Sequence, residues 1–382
     1  MLSISFGSRP QPEIADANRT FLWRSGEGSA PQIHVTSAFA DEAWDHFLEF
    51  HPQGQFQQTS RWARFKQAEG WKVVRLQLRQ GARILGGLQL LYRATRLGML
   101  GYVSKGPIMP EPPLDQSALF GAFASICSEL GLRAVLFQAP DNAGPSWPAH
   151  TWHLLPAKAH DLIQMTLLRD LRGGAMNLYS DLRRNTAQEI RQAKRRGVSI
   201  RETNANGIRC LFELMTQTCR RRNSKPNPAT LDALMQLWQS FAPSHARLTI
   251  AEAEGQAKAA LLCLMCGDRM TLWKTGWDFE SRLLHAHKLI LFEAMAWGAA
   301  RGFYWCDFGS FDPRLTTAGS PAARYSASQL ASGSFAHWGF RGVPFRLPDP
   351  LIYISHPLLR RIYRSIPLAW IVALQKSIAE SP

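Results

Sequence analysis

The chain has 382 residues, a formal net charge of +15 and an apolar content ordinary for a globular protein. That length accommodates two domains with real cores, and no apolar run approaches the roughly 20 residues that a membrane-crossing helix needs. The excess of positive charge favours polyanionic partners: nucleic acid, phosphorylated substrates or an anionic membrane surface.

In chain order, Met1–Thr36 is rich in Gly, Pro and Ser and lacks the charged-then-apolar order of a signal peptide. It is expected to be a flexible tail. Lys72–Arg79 reads as a strand that turns at Gln80-Gly81 into Arg83–Arg93 and then reaches Gly101-Tyr102-Val103. A helix from Asp115 to Leu130 stops at Gly131, before the apolar strand Arg133–Gln138. The same order recurs. Arg247–Ala253 turns at Glu254-Gly255 into Gln256–Cys266, and a third strand follows at Met270–Gly276. A helix from His285 to Arg301 stops at Gly302, before Phe303–Phe308. The repeated unit is hairpin, strand, helix, buried strand. This predicts an α/β protein with mixed sheets and two like domains, over residues 37–160 and 161–345, after a tail at 1–36 and before a C-terminal segment at 346–382. Ligands usually bind in clefts between such domains.

Positive charge concentrates in Arg183, Arg184, Arg191, Lys194, Arg195 and Arg196, in Arg220-Arg221-Arg222 with Lys225, and in Arg360, Arg361, Arg364 and Lys376. Each cluster reads either as a solvated helix face or as a phosphate-binding group. Three adjacent guanidinium groups repel unless an anion is near, which favours binding for the triple arginine. From Leu351 to Leu374 apolar residues alternate with the last arginines, with breaks at Pro357 and Pro367. This is expected either at the inner membrane surface or packed on the second domain. The six cysteines, without a secretion signal, are expected to be reduced thiols in the cytosol. Cys263 and Cys266 lack a second Cys/His pair, so no metal site is expected.

There is no G-x-S-x-G elbow, Walker A loop, H-E-x-x-H or dinucleotide G-x-G-x-x-G. The hairpin-strand-helix-strand order resembles the GNAT acyltransferase fold. The turn before His285, Glu280-Ser281-Arg282-Leu283-Leu284, nonetheless lacks the glycine-rich pyrophosphate loop of acetyl-CoA users. The run His51-Pro52-x-Gly54-x-Phe56-x-Gln58-x-Ser60-x-Trp62-Ala63-x-x-Lys66 with Gly70-Trp71 resembles the Fem family of transferases, which build peptidoglycan cross-bridges from aminoacyl-tRNA. Tyr102-Val103-Ser104-Lys105-Gly106-Pro107 is similar to its Tyr-x-x-Lys/Arg-Gly-Pro segment. The basic helix Arg183–Val198 and the strand end Cys306-Asp307-Phe308-Gly309 are similar to its counterparts. The resemblance spans Phe47 to Asp312 and implies two GNAT-like domains of the kind without a long helical arm.

From the residues alone, Lys66 reads as a surface lysine, Arg221 as a helix-terminal arginine, and Trp71 and Tyr102 as core aromatics. The resemblance implies instead that Lys66 and Arg221 grip the acceptor's phosphates, with Trp71 and Tyr102 beside the same ligand. Two departures stand out. Pro110 and Glu111 replace an aspartate that some members carry after Gly-Pro, and Phe335-Ala336-His337 replaces a common Phe-Lys. For attack of an amine on an activated acyl group, Asp307, Glu111 and His287 are the candidate bases. Asp307 also reads as a turn-holding residue, and His287 as part of a helix start. No cofactor is implied. An aminoacyl-tRNA donor fits better than acetyl-CoA, and the acceptor is a phosphorylated or lipid-linked envelope precursor. The resulting expectation is a cytoplasmic N-acyltransferase, peripheral at the inner membrane. The alternatives are an acyltransferase of exported-polysaccharide or lipid-linked sugar synthesis with a non-tRNA donor, and a non-catalytic tRNA-binding protein.

Overall fold

The computed structural model describes residues 19–22, 31–95, 98–110, 116–144, 147–157, 163–313 and 337–365. The chain forms two compact units: residues 1–47, 57–161 and 349–382, and residues 48–56 and 162–348.

In the first unit, β1 (Arg19–Leu22) pairs antiparallel with β2 (Gln32–Thr36). Of the residues expected in a tail, these nine are thus sheet, while 1–18 and 23–30 lie outside the described residues. The Gly/Pro/Ser-rich average hid a short alternation in which Ile33 and Val35 face the core. Helices α1 (Glu42–Phe50) and α2 (Ser60–Gln67) follow. The meander β3 (Lys72–Gln80), β4 (Arg83–Thr95), β5 (Gly98–Ser104) then leads through α3 (Ser117–Glu129) to β6 (Leu132–Gln138) and a short β7 (Leu155–Pro156). β5 and β6 run parallel, so a crossover is obligatory, and α3 supplies it.

The second unit repeats this plan. It holds β8 (Met165–Asp170), α4 (Gly174–Ser180), α5 (Arg184–Arg195), β9 (Ser199–Thr203), α6 (Ile208–Arg221) and α7 (Leu231–Phe241). The meander β10 (Ala246–Ala253), β11 (Gln256–Cys266), β12 (Arg269–Trp277) comes next. It crosses through α8 (Ala286–Ala300) to the parallel β13 (Trp305–Ser310). β14 (Val343–Arg346) closes the sheet, whose order is β14-β8-β13-β12-β11-β10-β9. Both crossover helices end before a glycine at positive φ, Gly131 (63°) and Gly302 (84°), where any other residue would be strained.

The C-terminal segment returns to the first unit. β15 (Leu351–Ile354) pairs antiparallel with β6 and β7, completing the order β1-β2-β3-β4-β5-β6-β15-β7, and α9 (Pro357–Ser365) follows. This corrects the expectation that the segment packs on the second domain. Tyr353 enters the first unit's aromatic core, its ring 5.1 Å from Phe123, which stacks on Trp152 at 5.4 Å. Among the described residues no helix is long and apolar enough to cross a membrane.

Several family-motif residues hold the first unit together. The buried Gln58 side chain donates to the Ser104 carbonyl and accepts from the Gln89 amide at 2.8 Å. The Gln58 carbonyl accepts from Trp44 Nε1 at 2.7 Å. Ser60 Oγ donates to Asp45 Oδ2 at 2.7 Å, and Thr59 caps α2 by accepting from Trp62 N at 3.2 Å. Arg75, wholly buried, is tied by Nε to Gln89 Oε1 (2.8 Å) and by a second nitrogen to the Ala38 carbonyl (2.6 Å). Every such partner matters, because a buried polar group left unpaired costs about 1–3 kcal/mol.

Candidate functional site

In the second unit, β12 ends at Trp277 and the chain turns through Asp278–Leu284 into α8. His285 holds the left-handed position at the head of that helix (φ 54°). A cavity of about 150 Å³ opens here, lined among others by Lys258, Trp277, Arg282, His285, His287 and Lys288. Helix α6 delivers Arg221 to Trp277 in the wall of this cavity. Its guanidinium lies 5.0 Å over the Trp277 ring and 5.3 Å over Phe279, and donates to the Trp277 carbonyl at 3.0 Å. Arg282 covers Phe279 at 4.8 Å, so that ring faces two guanidinium groups. From α5, Arg196 donates to the Leu283 carbonyl.

Beneath this surface His287 stacks on Trp277 at 5.7 Å and lies 6.4 Å from His337, which in turn packs on Phe308 at 5.1 Å. Nε2 of His287 and Nδ1 of His337 are enclosed and meet no hydrogen-bond partner among the described residues. Burial holds the His287 pKa well below 6.5, assisted by His337, Lys288 and Arg222. Burial, then Lys288 and Arg222, pushes His337 down to about 3. Both imidazoles are therefore neutral at pH 7. Burial also lowers the Lys288 pKa, against the pull of Glu189, whose Oε2 is 3.7 Å away.

The expected site residues fare differently. His287 and Arg221 meet through Trp277. Asp307 is engaged in the turn at its own strand end: Oδ1 accepts from Thr166 Oγ1 and from Gly309 N (2.7 Å), and Oδ2 lies 3.7 Å from Arg269. With those bonds it ties the end of β13 to β8. Glu111 lies outside the described residues.

In the first unit, Lys66 Nζ sits 2.6 Å from Glu69 Oε2 and 4.7 Å from the Phe65 ring centre, so its charge already has a partner. Trp71 is covered by Arg93 at 4.5 Å. The Tyr102 hydroxyl donates to Ser104 Oγ at 2.8 Å, and burial raises its pKa. Lys258, Trp277, Phe279, Arg282 and Lys288 are additions that the sequence reading missed. The signal available was an aromatic pair, Trp277 and Phe279, between a strand end and a helix start rich in cations.

The fold defines a GNAT-type module with a cavity at the head of its crossover helix. A family model for an acetyltransferase (GNAT) domain matches residues 180–317, within the second unit's portion of the chain. The FemAB family model matches residues 39–115. The chain is 26% identical over 192 residues to a lipid II:glycine glycyltransferase of Staphylococcus saprophyticus, covering 47% of this chain and 46% of that protein. It is 22% identical over 204 residues to the protein of that name from Staphylococcus aureus, covering 49% of this chain and 47% of that protein. The chain thus spans about half the length of these curated relatives. The crystal structure of FemX superposes with a TM-score of 0.70 at 16% identity, over 84% of this chain and 98% of that one. The chain thus shares the fold of FemX, two tandem GNAT-like domains.

Proposed function

We propose that this chain is an N-acyltransferase of the Fem type, transferring an aminoacyl group to an amine of a peptidoglycan precursor. The observation that carries this reading is the cavity at the head of α8, ringed by Arg282, His285 and Lys288 and walled by the Arg221-covered Trp277. Cations interleaved with stacking aromatics suit a ligand that combines phosphates with a nucleobase. The preceding turn has no glycine from Asp278 to Leu284 to cradle a coenzyme A pyrophosphate, which supports an aminoacyl-tRNA donor.

Amide formation requires a neutral amine, a donor for the developing oxyanion and close positioning of both substrates. The Lys288 ammonium, held in the cavity wall, donates to the oxyanion in place of the lysine missing after Phe335. Neutral His287 accepts a hydrogen bond from the attacking amine and orients it. As the amide forms, the ester bond to the tRNA ribose breaks and the amine's proton leaves with the ribose hydroxyl. Arg221 contributes a cation to the acceptor's phosphates. A lipid-linked acceptor places the protein on the cytoplasmic side, peripheral to the inner membrane. Incubation with charged tRNA and UDP-muramyl-pentapeptide or lipid II tests the reading. It predicts a mass gain of one aminoacyl residue on the acceptor.

A further inference from the structure

Helix α9 is anchored to the first unit through Arg360 and Tyr363. Arg360 donates to the Ile354 carbonyl at 3.0 Å, and the Tyr363 hydroxyl reaches the Pro156 carbonyl at 3.4 Å, so these two mark the face turned to the first unit. Leu358, Ile362 and Leu359 occupy the other side at helical spacing and are 64%, 53% and 41% exposed. Three large aliphatic side chains in water on a nine-residue helix form a patch that soluble surfaces normally avoid. Arg361 and Arg364, also exposed, border it.

The charge of this segment of sequence has one sign. From Leu351 to Ala379 the sequence holds no acidic residue, while Arg360, Arg361, Arg364 and Lys376 are basic. An apolar face with a basic border is complementary to a bilayer with anionic headgroups: the aliphatic side chains enter the acyl boundary while the arginines stay with the phosphates. A protein partner of ordinary surface composition would leave this excess of cations unmatched. We infer that the outer face of α9 docks on an anionic phospholipid bilayer. The inference deepens the proposed placement at the membrane but does not need the acyl-transfer reading.

The test is cosedimentation of the full chain with vesicles of phosphatidylcholine, with and without phosphatidylglycerol, over a salt series. Wild type should bind the anionic vesicles, release with rising salt and bind the neutral ones weakly. Leu358→Ser with Ile362→Ser should lower partitioning at least about tenfold with the melting temperature unchanged, because both side chains are exposed. Arg361→Gln and Arg364→Gln should each lower it about fivefold at low salt. Absence of wild-type binding would overturn the inference, as would variants that bind like wild type. A sharp drop in melting temperature or a change of oligomeric state in the serine variant would also overturn it, because the face would then be covered by protein. Transfer to the soluble nucleotide-linked acceptor needs no vesicle, so failure of the catalytic reading and failure of this one are seen separately.

Discussion

Arg221 lies 5.0 Å over the Trp277 ring and donates to that residue's carbonyl at 3.0 Å. The contact fixes one guanidinium of the triple arginine on a wall residue of the cavity and distinguishes it from Arg220 and Arg222. A guanidinium that stacks while donating in its plane is not replaced by an ammonium. Arg221→Ala should weaken substrate binding by about 1.5–3 kcal/mol, one to two decades, with little change in melting temperature. Arg221→Lys should recover only part. Titration of the three single alanine variants checks this: equal affinities would make the three interchangeable and remove Arg221 from its assigned role.

Lys66 presents a different case, because Glu69 already neutralises it at 2.6 Å. An (i, i+3) pair of partly exposed side chains is weak, so a phosphate would compete with the carboxylate. If Lys66 serves the acceptor, Glu69→Gln should tighten acceptor binding, by up to about fivefold, and Lys66→Ala should loosen it. Both follow from isothermal titration with the nucleotide-linked precursor. Glu69→Gln that leaves affinity unchanged would return Lys66 to a surface role.

Gln58 is a family-motif residue whose work is structural. Gln58→Leu strips partners from the Ser104 carbonyl and the Gln89 amide and should cost about 2–4 kcal/mol in urea unfolding. A Cβ on Gly106 would stand 2.9–3.0 Å from the Gln58 amide atoms. Gly106→Ala should therefore also destabilise, by about 1–3 kcal/mol. Substrate affinity of the folded fraction should be unaffected in both.

The buried histidines predict a pH dependence. His337 is held to about 3 against an ordinary 6.5, so between these values the unfolded chain binds more protons than the folded one. Stability is intact above about pH 6.5 and falls as the pH drops toward 3, by roughly 1.4 kcal/mol per pH unit for one such histidine. Lys288, Arg222 and His287 all act in this direction at His337 or beside it. His337→Gln should flatten the slope of unfolding free energy against pH in this window, measured against wild type so that carboxylate titration cancels. Parallel profiles would contradict the burial of His337 as a neutral ring.

Much of the fold was legible because its punctuation is local. The turns at Gly81 and Gly255 and the stops at Gly131 and Gly302 lie within a few residues of the elements they bound, so both copies of the strand-helix module could be read in order. Pairing across distant sequence was not legible. Leu351–Ile354 reads as apolar and basic tail until β6, more than two hundred residues earlier, is seen beside it. The candidate site was half legible: the resemblance pointed to Arg221, and a helix start to His287. What joins them is the Trp277 ring, and no spacing rule announces a side chain that three elements happen to share. Asp307 carries a motif position for a reason only its bonds reveal, since Thr166 lies 141 residues away.

The most direct test of the central claim is a transfer assay with the purified chain, a panel of charged tRNAs and UDP-muramyl-pentapeptide or lipid II, read by mass spectrometry, beside Lys288→Met. The account predicts that one charged tRNA adds a single aminoacyl residue to the acceptor. It also predicts that Lys288→Met keeps acceptor affinity while losing about a hundredfold or more in rate, as expected for removal of an oxyanion donor. Acyl transfer from acetyl-CoA but from no charged tRNA, or full activity without Lys288, would contradict it.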